Sequence, residues 1–98
     1  MTDIRNVLAV NMRLNRHKTG LSQATLAEKI GTATNYISKI ESEKQFPSIP
    51  MLERIAIALN IDVLELFSIK NSQMARLNEV KQALQEIIAI SNDTLKDL

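Results

Sequence analysis

At 98 residues the chain has room for about one domain with a small core. Hydrophobic residues make up 45% and charged residues 23%; two glycines, two prolines and 3% aromatics disfavour β-rich or low-complexity architectures and favour a helical bundle. The lack of cysteine excludes disulfides and thiolate metal sites and suits a reducing cytoplasm. No stretch approaches the about 20 uninterrupted apolar residues of a membrane span, and the opening segment does not read as a signal peptide. The net charge of +1 is small, yet unevenly spread. Up to Phe46 seven Lys/Arg face four acids; from Pro47 to Ser68 Arg54 stands against Glu53, Asp62 and Glu65; beyond that the signs balance.

The first helix is expected from about Asp3 to Lys18, with Ile4, Val7, Leu8 and Met12 marking an apolar stripe and Gly20 ending it. Ser22 is a natural N-cap for a second helix whose Leu26, Ala27 and Ile30 face inward. Gly31 supplies a tight turn with positive φ, and a third helix starts at Thr32 or Ala33. In it, Ile37 and Ile40 are three apart and share the buried face, leaving Thr34, Asn35, Ser38 and Lys39 on the other side. Residues 43–48 read as a loop, with Pro47 and Pro50 stopping the third helix and starting a fourth along Met51, Leu52, Ile55, Ala56 and Leu59. Asp62 caps a short fifth helix in which Val63, Leu64, Leu66 and Phe67 close the core near Ser68.

From about Asn71 to Ile90 a further helix carries Met74, Leu77, Val80, Leu84, Ile87 and Ile88 at spacings of three and four. A five-helix unit already has its core, so this stripe needs another surface. It either folds back on its own domain or meets the same helix of a second chain; the second arrangement is preferred, as a compact pair rather than a long zipper. The organisation expected is therefore an all-α chain with a compact five-helix domain over 1–68 and a dimerisation helix over 69–98.

Two short helices joined by a glycine turn, the second polar and small on its outer face, suit insertion into a DNA major groove. Asn binds adenine bidentately, Lys donates to guanine, Thr offers a methyl to thymine, and Ser donates or accepts. A merely solvated helix face is the alternative for Thr34, Asn35, Ser38 and Lys39. Gln23 opens the second helix, where exposed N–H groups favour a phosphate, although it serves equally as an additional cap. Tyr36, Ser42 and Lys44 flank the third helix within reach of a DNA backbone; Tyr36 could instead pack its ring on the second helix.

The pattern Ser22-Gln23-x-x-Leu26-Ala27, Gly31, Tyr36-Ile37-Ser38-x-Ile40-Glu41, Pro47-Ser48, then Leu52-x-x-Ile55-Ala56-x-x-Leu59 and Leu64-x-x-Phe67 resembles the helix-turn-helix domain of the Cro and phage-repressor type, the XRE family. The resemblance spans residues 8–67. It implies a five-helix phage-repressor-like fold, a third helix lying in the major groove, and a homodimer on a near-palindromic operator of double-stranded DNA. It also implies a partly buried salt bridge between Arg16 and Glu41, making Arg16 structural. Two positions depart from the family pattern: Glu43 stands where a glycine commonly follows the third helix, and Asn15 where leucine is common.

Enzyme readings are poor. His17 is the sole histidine, and no phosphate loop, paired-carboxylate cluster or metal-ligand spacing occurs, so no cofactor or metal is expected. The expected function is a transcriptional regulator, most simply a repressor of its own operon. The alternative is an adaptor or antitoxin-type antagonist that keeps the fold and binds another protein through the C-terminal helix.

Overall fold

The computed structural model describes residues 3–70 and 81–85. The described chain is helical, without strands: α1 (Ile4–Lys18), α2 (Gln23–Ile30), α3 (Thr34–Glu41), α4 (Ile49–Leu59) and a short 3-10 helix, Val63–Phe67. Each helix begins where a polar side chain can satisfy an N–H group that has no partner within the first turn. Asp3 accepts from the Arg5 amide at 2.9 Å, Ser22 from Thr25 at 3.0 Å, Ser48 from Met51 at 3.4 Å and Asp62 from Leu64 at 3.1 Å. The exception is α3, whose N-cap is Ala33 and makes no side-chain bond; it starts one or two residues later than the sequence suggests.

Gly31 carries the turn between α2 and α3 at φ +75°, the left-handed region that a Cβ resists. The Thr32 amide then donates to the Ala27 carbonyl at 2.9 Å, closing the end of α2. That turn sends α3 across α2 at once, and both pack on the remaining helices. Leu8 and Met12 of α1, Leu26 of α2, Ile37 and Ile40 of α3, Ile55 and Leu59 of α4, and Leu66 of the 3-10 helix form a fully buried centre. Eight such side chains, each contributing about 1.5–3 kcal/mol by leaving water, are what hold so small a unit together.

Several details differ from the sequence expectation. Ile4 and Leu64 are not core: they are 57% and 77% exposed. The last helix turns in three residues rather than 3.6, so Val63 and Leu66 share the inner face and Leu64 is rotated outward. Pro47 does not stop α3, which has ended at Glu41; it lies buried in the loop, while Pro50 sits in the first turn of α4. Asn15 fills the place where the family pattern has leucine. It is buried, and its Nδ2 donates to the Asn11 carbonyl one turn back at 2.8 Å. Asn11, wholly buried, donates in turn to the carbonyls of Val7 at 2.9 Å and Ser68 at 3.1 Å, tying α1 to the end of the 3-10 helix.

Residues 69–70 and 81–85 are also helical. Of the C-terminal stripe, Leu84 falls within the described residues and is 54% exposed; Met74, Leu77, Val80, Ile87 and Ile88 lie outside them.

Candidate nucleic-acid interface

The surface in question is built from the inside of α3 outward. Ile37 and Ile40 anchor its underside at 0% and 1% exposure. With that face fixed, the 3.6-residue period turns Thr34, Asn35, Ser38 and Lys39 outward together, and all four are exposed. They present one carboxamide from Asn35, two hydroxyls and one ammonium on a face about two turns long. Side chains of these types are chemically able to hydrogen-bond to base edges in a major groove, which admits a helix.

Orientation of α3 rests on a buried ion pair at its C-terminal end. The Arg16 guanidinium reaches from α1 to grip Glu41 bidentately, Nε donating to Oε2 at 2.9 Å and Nη2 to Oε1 at 3.0 Å. Its remaining nitrogen, Nη1, donates to the Leu21 carbonyl at 2.9 Å. Only 10% and 3% of the two side chains is exposed. A charge pair this enclosed is held by geometry: both carboxylate oxygens and all three guanidinium nitrogens have partners. Arg16 is therefore occupied inside the fold, whereas Arg13, one turn earlier, is exposed.

Gln23, at the start of α2, is half-buried, and its Nε2 donates to the Glu41 Oε1 at 3.3 Å. One carboxylate thus serves α1 and α2 while ending α3. Tyr36 leans its ring against the core cluster, and burial raises its phenol above the ordinary value of 10. Its hydroxyl accordingly stays protonated, a donor, at neutral pH. The exposed Ser42 hydroxyl donates to the Lys39 carbonyl at 3.2 Å. Lys44 is exposed in the loop beyond it. The structure therefore brings Thr34, Asn35, Ser38, Lys39, Ser42 and Lys44 onto one exposed tract, with Gln23 and Tyr36 half-covered at its edge.

Glu43 takes the glycine-like conformation at φ +67°, so the turn that the family pattern assigns to glycine is kept by a residue that must be held there. The Glu43 and Lys44 amides close this turn on the Ile40 and Lys39 carbonyls at 3.1 and 2.9 Å, and Asn6 of α1 reaches the side chain, its Nδ2 donating to the Glu43 Oε2 at 3.3 Å. Sequence reasoning missed this contact, and the Gln23–Glu41 one, because both join distant positions of ordinary polar type. Among the described residues no His/Cys/Asp/Glu cluster is arranged to hold a metal, and no helix is long and apolar enough to cross a membrane.

A compact helical unit that presents one short polar helix across another is the architecture of a helix-turn-helix protein. The helix-turn-helix family model matches residues 12–66, and the chain belongs to that family, among the XRE-type transcriptional regulators. It is 38% identical over 64 residues to a hypothetical transcription factor of Neisseria meningitidis, an alignment that takes in 65% of this chain and 60% of that one. The chain thus spans about three-fifths of that relative's length. The crystal structure of the Neisseria factor superposes with a TM-score of 0.65 at 36% identity, covering 67% of this chain and 76% of that one. The control protein C.MunI of Mycoplasma is 41% identical over 56 residues, 57% of this chain and 76% of its own. The solved complex of SinR, a master regulator of biofilm formation, with DNA matches at a TM-score of 0.59 and 35% identity, over 62% of this chain and 98% of the solved SinR chain.

Proposed function

We propose that the chain is a sequence-specific DNA-binding transcriptional regulator that reads a near-palindromic operator as a homodimer and acts as a repressor of its own operon. The observation that carries this reading is the outward face of α3, where Thr34, Asn35, Ser38 and Lys39 are exposed while Ile37 and Ile40 lock the opposite side. Thr34, Asn35, Ser38 and Lys39 face the base edges, with Asn35 suited to adenine and Lys39 to guanine. Gln23, Tyr36, Ser42 and Lys44 contact the sugar–phosphate backbone and set register without carrying sequence information. The similarity to SinR, solved on DNA, supports the assignment.

Residues 1–68 form the reading domain and residues 69–98 the dimerisation segment. Pairing of two such segments sets two recognition helices about 34 Å apart, one turn of DNA. The exposed Leu84 is available to such a pairing. The weak net charge fits a reader whose affinity depends on base contacts and on having two of them.

The experiment is selection of duplexes from a randomised pool, followed by gel-shift titration and sedimentation. Enrichment of an inverted repeat bound by two chains is the expected result. Recovery of no sequence preference, or binding by a single chain to a single half-site, contradicts the proposal.

A further inference from the structure

Glu43 is the one acidic residue of the loop over residues 43–48, and it stands between Ser42 and Lys44, both exposed. The Glu43 amide donates to the Ile40 carbonyl at 3.1 Å and the Lys44 amide to the Lys39 carbonyl at 2.9 Å, so the loop curls back over the end of α3 and keeps Lys44 next to Lys39. A carboxylate in this place has two partners open to it. It can turn toward the neighbouring ammonium groups, or it can turn back toward the body of the protein. The backbone at φ +67° and the 3.3 Å bond from Asn6, reached across 37 positions of sequence, select the second direction. Glu43 is half-buried as a result, and among the described residues no ion pair engages Lys39 or Lys44.

We propose that Asn6 is a positioning residue for DNA binding: it holds the Glu43 carboxylate against α1 and so leaves Lys44 free to meet a phosphate. The inference rests on the DNA-binding reading above and adds to it a residue on α1, far from the recognition helix in sequence. Without Asn6 the carboxylate is released toward Lys44 and Lys39, where it competes with phosphate for the same donors. An exposed pair of this kind is modest in strength, so the effect is a tuning of affinity, not its abolition. Because phosphate contacts carry no sequence information, the loss falls equally on cognate and unrelated DNA.

The test is titration of the parent chain and of the variants Asn6→Ala, Glu43→Gln and Asn6→Ala/Glu43→Gln against two probes: a duplex selected by the parent from a randomised pool, and a mixed-sequence duplex. Salt is varied throughout, and thermal unfolding is followed in parallel. Asn6→Ala is expected to bind both probes about three- to fivefold more weakly, with a salt slope smaller by about one, the signature of one lost phosphate–cation contact. Glu43→Gln removes the competing charge, and its gain in affinity is expected to be larger in the Asn6→Ala background than in the parent. A loss of folding stability could not be rescued in that way. Unchanged affinity and slope in Asn6→Ala, or an equal gain from Glu43→Gln in both backgrounds, overturns the proposal. A parent that binds neither probe overturns the functional reading itself, which is a separate result.

Discussion

The two sides of α3 are made from eight consecutive residues, Thr34 to Glu41, and are governed by opposite requirements. On the underside Ile37, Ile40 and Glu41 are buried, and Glu41 has Arg16 and Gln23 bound to its carboxylate. On the outside Thr34, Asn35, Ser38 and Lys39 are exposed, their side chains open to a ligand. The underside is therefore where substitution should alter folding, and the outside where it should alter recognition alone. A helix of this length is marginal by itself. Its rigidity is supplied from beneath so that its outer side chains can be chosen for what they touch.

That contrast breaks most visibly at the ion pair. Arg16→Ala leaves the Glu41 carboxylate enclosed without its partner and is expected to destabilise the fold by about 3–5 kcal/mol, measured by chemical denaturation. An unfolding midpoint equal to the parent's would mean that the pair is not what orients α3. On the outer side, Asn35→Ala and Lys39→Ala should each weaken binding to a selected operator by about 1–3 kcal/mol. Their unfolding free energies should stay within about 0.5 kcal/mol of the parent. A variant that lost stability and affinity together would erase the distinction between the two sides.

Smaller effects are expected at the devices that join α2 to α3. Gly31→Ala meets no atom within 4 Å of the added Cβ, so its cost is that of the left-handed backbone alone, about 1–2 kcal/mol. Crowding is excluded as the cause if Gly31→Asn, better tolerated at positive φ, recovers part of that loss in the same unfolding measurement. Ser22→Ala removes the 3.0 Å cap of α2 and should cost about 1 kcal/mol. A loss several times larger would show that Ser22 also supports the approach of Gln23 to Glu41.

Legibility in the sequence followed the range of the interactions. The Ser22 cap, the Gly31 turn and the Ile37/Ile40 spacing are each determined within a few residues, so the crossing of α2 and α3 and the four outward residues could be read directly. The Arg16–Glu41 pair joins positions 25 apart, and only the family resemblance pointed to it. Residue type alone does not tell that Glu43 would adopt φ +67°; the glycine that the family pattern has at this place was the only signal, and the bond from Asn6 joins positions 37 apart. Leu64 misled because a leucine near a helix end reads as core, and whether the helix has 3.0 or 3.6 residues per turn is settled by how it seats on α1 and α4. Asn11 was not read from the sequence at all. Its place between Leu8 and Met12 marks a buried row, but its bond to Ser68 depends on the chain's return 57 residues later.

The most direct measurement replaces individual purines of a selected operator by 7-deazapurines, which lack the N7 acceptor that faces only the major groove. The parent chain should lose affinity at particular positions in each half-site, and the Asn35→Ala/Lys39→Ala protein should be indifferent at those same positions. Full affinity of the parent for every substituted duplex would contradict the placement of the outer face of α3 against base edges.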